Sequence, residues 1–328
     1  MLSDRQGRIH TYLRVSVTDR CNLRCRYCMP PGGIERVDRE RILHPEEIGQ
    51  IVQLFAELGV RKIRLTGGEP LIRGGLGVIL GYLTSVQPHV NLALTTNGLL
   101  LEKWLHRLTA GGVRFINVSL DTLREERYAG ITGFQGWRSV WNGVAAALKH
   151  PKIEKVKLNV VIQRGVNDDE VRDFARLTLR YPLDVRFIEI MPVRRIDWNE
   201  NELVTGEEIL SKLPELEIES LRIGTSDGPA RMYRYPDAPG RIGFISSLSC
   251  PVCSQCNRLR LTAQGVLLRC LFDSEGLDLR SAVRTGLASD EIKNKITEFL
   301  QGKRDAGIQS GTSNRASYYS PCLAVVGG

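Results

Sequence analysis

The feature that most limits how this chain can fold is a regular alternation of short strands and helical stretches between about residues 12 and 191. Apolar residues recur at every second position in the strands and at helical spacing between them. One helical stretch is opened by Pro45, Glu46 and Glu47 and is closed by Gly59, which are helix start and stop signals. Such alternation predicts a parallel sheet with right-handed crossovers, as an open doubly wound sheet or a partial barrel. The predicted strands are Tyr12–Thr18, Lys62–Thr66, Asn91–Thr96, Arg114–Leu120, Val156–Ile162 and Val185–Ile190.

The two faces of the predicted strands differ in polarity. In the first strand Leu13, Val15 and Val17 alternate with Arg14 and Ser16, and later strands repeat this pattern. Parallel strands that are buried on both faces are apolar on both, and a closed eight-stranded barrel fills its interior with apolar side chains. A polar interior therefore favours a wider, incomplete barrel around a polar ligand. The alternative is an antiparallel sheet with one solvent-exposed face. The long helical connections disfavour it.

The alternation becomes irregular after about residue 200. Strands at Arg241–Ser247 and Arg258–Thr262 lack regular helical partners, and the chain ends in Gly327 and Gly328. The predicted fold class is therefore α/β. It consists of an incomplete (β/α)6 TIM-like barrel in residues 1–200 and a smaller C-terminal α+β layer in residues 201–328.

Charge and hydropathy narrow the function classes. The first residues have no apolar core of the signal-peptide type, and no apolar run approaches the roughly 18 residues that span a bilayer. The formal net charge of +8 is spread along the chain, and it permits nucleic-acid binding without indicating it. We expect a soluble, cytoplasmic protein with no membrane and no nucleic-acid partner.

The eight cysteines carry more information than the charge. Cys21, Cys25 and Cys28 follow directly after the first strand, at the end of the strands where barrel enzymes assemble their sites. In a reducing cytosol, clustered thiols more often bind metal than form disulfides. Three thiolates can hold three irons of a four-iron cluster and leave the fourth open to a small molecule. The alternative is three core cysteines on one helical face, which the charged neighbours and the Pro30-Pro31 pair disfavour.

The spacing of this loop, with Tyr27 just before its last cysteine, resembles that of radical S-adenosylmethionine enzymes. The resemblance implies that the open iron of a 4Fe–4S cluster binds the amino and carboxylate groups of S-adenosylmethionine. An electron from the cluster would then break the carbon–sulfur bond and release a 5′-deoxyadenosyl radical. The segment Thr66–Pro70 looks like the family's glycine-rich loop that receives the methionine amino group. By the same resemblance the cofactor-binding residues are Tyr27, Gly68, Ser119 and Met191.

A second set of cysteines lies in the C-terminal part. It consists of Cys253, Cys256 and Cys270, with Cys250 beside it. Three interpretations stay open from the residues alone: a structural zinc site that includes Cys250, a closed four-iron cluster for electron transfer, or an open cluster that binds substrate. Arg258 and Arg260 follow on one strand face, and two guanidinium groups beside a metal site indicate an anionic ligand.

The two cysteine groups, with Cys-Asn-Arg-Leu-Arg after the second, closely resemble the family of GTP 3′,8-cyclases of molybdenum cofactor biosynthesis. The resemblance covers the chain from Arg14 to Gly328 and implies two 4Fe–4S clusters. The first would be held by Cys21, Cys25 and Cys28, and the second by Cys253, Cys256 and Cys270. The implied GTP-binding residues are Arg14, Arg64, Thr95, Lys157, Arg258, Leu259 and Arg260. A catalytic tail is implied at Gly327 and Gly328, while the roles of Cys250 and Cys322 stay open.

The reaction implied by this family begins when the deoxyadenosyl radical takes the ribose 3′ hydrogen of GTP. The carbon radical then attacks C8 of guanine and gives (8S)-3′,8-cyclo-7,8-dihydroguanosine 5′-triphosphate. The resemblance further implies that the product passes to cyclic pyranopterin monophosphate synthase and that a reductant such as flavodoxin or ferredoxin supplies electrons. The resemblance is also compatible with a homodimer.

Two other functions are compatible with parts of the sequence. One is a radical enzyme that modifies peptides and uses its second cluster as an auxiliary redox centre, and the basic residues on the polar strand faces disfavour it. The other is a non-catalytic iron–sulfur or zinc protein that binds RNA. The open-site spacing of the first cysteine group disfavours that function.

Overall fold

One open sheet of twelve strands organises the described part of the chain. The computed structural model describes residues 1–29, 37–191, 200–214, 216–218, 228–273 and 275–304. Its strands are β1 (Tyr12–Ser16), β2 (Lys62–Thr66), β3 (Asn91–Thr96), β4 (Val113–Ser119), β5 (Lys155–Ile162), β6 (Leu183–Glu189), β7 (Glu217–Ile218), β8 (Arg231–Arg234), β9 (Arg241–Ile245), β10 (Arg258–Leu261), β11 (Val266–Leu268) and β12 (Leu277–Asp278). Its helices are α1 (Pro45–Glu57), α2 (Leu76–Thr84), α3 (Leu101–Ala110), α4 (Glu125–Thr132), α5 (Trp137–Lys149), α6 (Val171–Arg180), α7 (Gly206–Ser211), α8 (Leu279–Arg284) and α9 (Ser289–Leu300).

The strand order is β12-β11-β10-β1-β2-β3-β4-β5-β6-β9-β8-β7. Every pair from β10 to β9 in that order is parallel, and antiparallel strands continue the sheet at both ends. The predicted α/β class with an incomplete barrel is confirmed, because the sheet does not close on itself. The C-terminal strands extend the two edges of this same sheet, so the smaller C-terminal part is a continuation of the barrel wall.

The predicted polarity of the two strand faces explains where the core lies. The side chains of Leu13, Val15, Ile63 and Leu65 are fully buried, in the main apolar cluster of the described residues. Residues of the opposite parity, such as Arg14, face the concave side instead. Helices cover the apolar face, as in other parallel sheets.

Helix α1 shows how local sequence sets an element's ends. Pro45 occupies its first turn, where the missing N–H costs nothing. The Glu47 carboxylate accepts a hydrogen bond from the His44 backbone N–H at 2.6 Å, as in a capping box. Beyond the helix, Gly59 adopts a φ of 105°, which only glycine tolerates easily.

Among the described residues, none of the helices combines the length and the apolar character that crossing a bilayer requires.

Candidate functional site

A cavity of about 310 Å³ is lined by both cysteine groups and by the polar face of the sheet. The predicted site residues that line it are Cys21, Cys25, Cys28, Cys253, Cys256, Cys270, Tyr27, Gly68, Ser119, Met191, Arg14, Arg64, Thr95, Lys157, Arg258 and Arg260. Leu259 is not in this lining, because its side chain points the other way and is 1% exposed in the core. Gly327, Gly328 and Cys322 lie outside the described residues.

The first cysteine group lies on a loop that is fixed by backbone hydrogen bonds at both sides. The N–H groups of Cys28 and Met29 both donate to the carbonyl of Cys25, at 3.0 and 2.9 Å, which forms a tight turn. The N–H of Arg24 donates to the carbonyl of Thr132 at the end of α4, at 2.9 Å. The cysteines are half-buried rather than enclosed in the core. This geometry does not support the alternative of core cysteines on a helical face.

The glycines of the loop after β2 serve a contact that the sequence did not predict. A Cβ on Gly67 would lie 2.3 Å from the carbonyl oxygen of Thr18, and one on Gly68 would lie 2.1 Å from that of Arg20. The Gly68 N–H also donates to Thr18, and the Glu69 N–H to Arg20, each at 2.8 Å. This close approach to the backbone that leads into Cys21 positions the first cysteine loop. Gly67 and Gly68 also line the cavity, and their predicted approach to a ligand stays a prediction.

Tyr27 and Asp121 form a pair at the first cysteine group. The Tyr27 hydroxyl donates to the Asp121 carboxylate at 2.9 Å, and the Val161 backbone N–H donates to the other carboxylate oxygen at 2.8 Å. Burial raises the pKa of Asp121 to about 6, although these hydrogen bonds oppose the shift. The predicted cofactor residue Tyr27 is therefore held by a residue that was not predicted to belong to the site.

The second cysteine group is built from two separate segments. Cys253 begins a single 3₁₀ turn, in which the Cys256 N–H donates to the Cys253 carbonyl at 3.1 Å. Cys270 comes from the segment that follows β11 and lines the same cavity. Cys250 is not in the cavity lining, and its thiol accepts a hydrogen bond from the Arg231 guanidinium. The three cysteines that were predicted as ligands thus line the cavity, whereas Cys250 does not.

Residues from both ends of the described chain hold these segments. The Arg8 guanidinium donates to the carbonyl of Cys253 at 2.8 Å. The Lys303 ammonium donates to the carbonyls of Arg258 and Arg269, each at 2.7 Å. Because Lys303 is only 4% exposed, its charge acts on the nearby thiols with little screening.

The thiols of the two groups have different electrostatic surroundings. Burial raises the pKa of Cys25, and the Asp121 carboxylate raises it further. Burial also acts to raise the pKa of Cys256, but Arg258 and Lys303 outweigh it and lower that pKa to about 6. In the absence of metal, Cys256 therefore favours the thiolate and Cys25 favours the thiol.

Basic side chains from strands β1, β2 and β10 converge on the cavity. Arg14 lies in register with Arg64 on one side and with Arg260 on the other. Burial and the neighbouring cations Arg64 and Arg258 together lower the pKa of Arg14 to about 10, against the opposing effect of Tyr12. The pKa of Arg260 is lowered for the same reasons, by burial and by Arg14 and Arg258. Such crowding of like charges is unfavourable without an anion, so this wall is suited to bind one.

Lys157 and Thr95 complete this wall from strands β5 and β3. The Lys157 ammonium lies 3.8 Å from the carboxylate of Asp184, which is fully buried. The Arg64 guanidinium donates to the Leu94 carbonyl at 2.7 Å and to the Thr95 hydroxyl at 3.4 Å. These contacts fix the directions of the charges before any ligand binds.

The lining also contains polar residues that sequence reasoning missed. They are Tyr12, Lys62, Asn117, Asn159 and Arg186. Each of them lies on the same face of the sheet as Arg14, opposite the apolar core. The alternation of polar and apolar residues along the strands is the sequence signal that could have identified them. The side-chain oxygens of Asn117 and Asn159 are buried and have no hydrogen-bond partner within the described part of the chain. Buried acceptors of this kind fit a ligand with hydroxyl or amino donors.

The donor set also bears on the kind of metal site. Within the described ranges, no three side chains of Cys, His, Asp or Glu meet around a point where one metal ion would be shared. Thiolates of an iron–sulfur cluster each bind a different iron, so they stand further apart than the ligands of one zinc ion. Three thiols in each of the two groups match the donor set of two open four-iron clusters.

Two family profiles match the sequence. That of the Radical SAM superfamily matches residues 15–178, and that of Molybdenum Cofactor Synthesis C matches residues 183–307. A curated GTP 3′,8-cyclase from Heliobacterium modesticaldum is 46% identical over 291 residues, which cover 87% of this chain and 88% of that protein. A GTP 3′,8-cyclase from Pelotomaculum thermopropionicum is 44% identical over 310 residues, which cover 93% and 94%.

A solved structure resembles this chain at much lower sequence identity. It is Streptococcus suis SuiB bound to S-adenosylmethionine, with a TM-score of 0.62 and 12% identity, and the match covers 98% of this chain and 72% of SuiB. At that identity the likeness shows the fold alone.

Proposed function

Because this chain belongs to the GTP 3′,8-cyclase family of the Radical SAM superfamily, we propose that it converts GTP to (8S)-3′,8-cyclo-7,8-dihydroguanosine 5′-triphosphate. This reaction is the first step of molybdenum cofactor biosynthesis, and the C-terminal family match belongs to that pathway. One structural observation carries the proposal. Two cysteine triplets and a wall of buried cations line one cavity, although they come from distant parts of the sequence.

The family's cofactors are S-adenosylmethionine and 4Fe–4S clusters. When they are bound, they supply the radical chemistry that the protein's own side chains lack. Cys21, Cys25 and Cys28 would hold the first cluster. Cys253, Cys256 and Cys270 would hold the second. Tyr27, Gly68, Ser119 and Met191 line the same cavity, and we propose that they bind S-adenosylmethionine.

The protein's contribution is to bind and orient the nucleotide. A triphosphate carries about four negative charges, and the cations of β1, β2, β5 and β10 offset them on one wall. The Asn117 and Asn159 side-chain oxygens would accept hydrogen bonds from the sugar or the base. Fixing both ends of the nucleotide holds its ribose and its base in a folded-over pose, which increases the rate of an intramolecular ring closure.

A peptide-modifying radical enzyme is not favoured. It has no need for a wall of buried cations, and the curated relatives at 44–46% identity are GTP 3′,8-cyclases. The likeness to SuiB concerns the fold and does not alter this conclusion.

Several finer features belong to the proposal as well. Gly327 and Gly328 would reach into the cavity, and a reductant such as flavodoxin or ferredoxin would supply electrons. The product would pass to cyclic pyranopterin monophosphate synthase. We propose a cytoplasmic location because free thiols and iron–sulfur clusters persist in a reducing compartment.

The test replaces the cations one at a time. Arg14→Gln, Arg64→Gln, Lys157→Met, Arg258→Gln and Arg260→Gln should each weaken GTP binding about 30-fold or more, since removing one partner of a desolvated charge pair costs about 2–5 kcal/mol. Cleavage of S-adenosylmethionine without substrate should survive. The parent should bind GDP more weakly than GTP, and GMP more weakly than GDP. In the variants the differences in affinity among the three nucleotides should be smaller.

Two comparisons separate binding from folding. Arg138→Gln removes an exposed arginine that pairs with Glu125 on the outer surface, and it should bind GTP as the parent does. Arg14→Gln and Arg260→Gln should unfold at the same or a higher temperature than the ligand-free parent, because they remove charges whose burial is unfavourable and which repel neighbouring cations. If the cation variants bind GTP normally, the triphosphate does not lie on this wall.

A further inference from the structure

The wall of cations contains one side chain of a different chemical kind. Three neighbouring strands place six side chains in two rows. In one row Arg260, Arg14 and Arg64 are aligned, and in the next row Arg258, Tyr12 and Lys62 are aligned. Five of these positions are basic, and the sixth is a phenol at the centre of its row.

The contacts of Tyr12 are those of an anion. Its hydroxyl accepts a hydrogen bond from Arg64 Nε at 2.5 Å, and it also hydrogen-bonds Arg14. The Lys62 ammonium lies 5.4 Å from the centre of its ring. The side chain is only 6% exposed, so these charges act on it across a poorly screened interior.

We propose that the Tyr12 hydroxyl is an internal substitute for a phosphate oxygen: it is ionised in the ligand-free protein and takes up a proton when a triphosphate binds to the cation wall. This inference rests on the proposed function, because it takes the arriving anion to be the triphosphate of GTP. The step forms one O–H bond with a proton from solvent, and no electrons are transferred.

The charged groups around Tyr12 support this role. Those that face it are Arg14 on β1, Lys62 and Arg64 on β2, and Arg258 and Arg260 on β10. Burial alone would raise the pKa of the phenol, but Arg64, Arg14 and Lys62 outweigh burial and lower that pKa to about 7. A phenolate then offsets part of the repulsion within the wall, as Asp184 does beside Lys157.

These charges determine whether triphosphate binding takes up or releases a proton. A bound triphosphate adds negative charge next to the phenol and raises its pKa, so the bound form holds a proton that the free form has lost above about pH 7. Binding therefore takes up a proton, and affinity falls as the pH rises through that range. One coupled proton changes the dissociation constant by up to about tenfold per pH unit.

The test counts protons with the reconstituted holoprotein. Calorimetry in buffers with different ionisation enthalpies would be run at about pH 8, where the terminal phosphate of GTP is already ionised. The parent should take up close to one more proton per GTP than Tyr12→Phe, and the same difference should appear with inorganic tripolyphosphate. Tyr233→Phe alters a tyrosine that is also buried, at 9% exposed, but lies outside the cavity lining, and it should match the parent.

A second measurement does not depend on the phenylalanine variant. A fluorinated tyrosine at position 12 keeps the hydroxyl but has a more acidic phenol, so the pH at which proton uptake begins should move down. Equal proton uptake by the parent and Tyr12→Phe would overturn the inference. So would an unchanged pH dependence in the fluorinated protein.

The two proposals fail in different ways. If the parent binds tripolyphosphate with the Tyr12-dependent proton but does not bind GTP, the proposed function is wrong and the role of Tyr12 stands. If GTP binds and is cyclised without that proton, the role of Tyr12 is wrong and the function stands. If the parent binds neither ligand, both are wrong.

Discussion

The thiol of Cys25 and the thiol of Cys256 line the same cavity and are both half-buried, yet their surroundings differ in charge. Burial and the Asp121 carboxylate raise the pKa of Cys25. Next to Cys256, the cations Arg258 and Lys303 overcome burial and lower the pKa to about 6.

This difference in charge favours different roles for the two clusters, which is a division of labour set by their surroundings. The potential of an iron–sulfur cluster depends on the charges, hydrogen bonds and solvent around it. A cluster beside a buried carboxylate is harder to reduce and is therefore a stronger reductant once reduced. A cluster beside cations is easier to reduce and attracts anionic ligands. The first environment suits cleavage of the cofactor, and the second suits the binding of a nucleotide.

The largest expected effect comes from removing one thiol of each group. Cys25→Ala should lose about half of the roughly eight irons of the anaerobic protein, taking four per cluster, and should retain no cleavage of S-adenosylmethionine. Cys256→Ala should also lose about half of the iron but should still cleave the cofactor slowly. Iron and sulfide analysis and a cleavage assay would check this.

Either of two results would break the comparison. Stoichiometric zinc in the C-terminal half would replace the second cluster with a structural metal. Equal loss of cofactor cleavage in both variants would remove the division of labour.

The next effect concerns the buried ammonium that distinguishes the second group. Lys303→Met keeps the length of the side chain but removes its charge and leaves the carbonyls of Arg258 and Arg269 without this donor. Each lost contact costs about 1–3 kcal/mol. For the two contacts together, the holoprotein should be destabilised by about 2–6 kcal/mol, and it should lose iron from the second group alone. Denaturant unfolding and iron analysis would measure both effects.

The exposed Lys295 on α9 offers a matched control. Lys295→Met should leave stability and iron content unchanged. If Lys303→Met instead reduces cofactor cleavage as strongly as Cys25→Ala does, the two groups are not independent.

Much of the fold was predictable because its signals are local. Strands β2 and β3 begin and end where period-two alternation predicted, and the other barrel strands differ by one or two residues at their ends. The polarity of the strand faces also placed Arg14, Arg64 and Lys157 in a common interior. Tyr12 and Lys62 lie on the same strand face and line the same cavity, so the alternation of faces identifies them as well.

Other contacts could not be predicted from local pattern. Arg8 reaches Cys253 across 245 positions of sequence, and Lys303 reaches Arg258 across 45. Both contacts depend on the pairing of β10 with β1 at the edge of the barrel. Local sequence spacing does not predict which edge of the sheet a C-terminal strand will join. The same limit applies to Gly67 and Gly68, whose tight contact with the Thr18–Arg20 segment exists only in the folded chain.

The smallest expected effect is a difference in thiol reactivity in metal-free protein. At neutral pH the Cys256 side chain should be mostly thiolate, since its pKa is about 6, whereas Cys25 should remain a thiol. The thiolate is the reactive form, although a thiolate of low pKa is also a weaker nucleophile. Each unit of pKa above the pH lowers the thiolate fraction about tenfold but raises its nucleophilicity only about threefold, so Cys256 should be alkylated by iodoacetamide well over about tenfold faster than Cys25. Because both cysteines are half-buried, access does not favour either of them.

Mass spectrometry of alkylated peptides would measure the two rates side by side as the pH is varied. The rate at Cys256 should fall only below about pH 6, whereas the rate at Cys25 should keep rising into the alkaline range. Arg258→Gln should shift the Cys256 profile upward in pH and leave the Cys25 profile unchanged, since Arg258 is the strongest of the cations that lower the pKa of Cys256. Equal rates at neutral pH would show that the two groups do not differ in charge environment. The division of labour between the clusters would then need another physical cause.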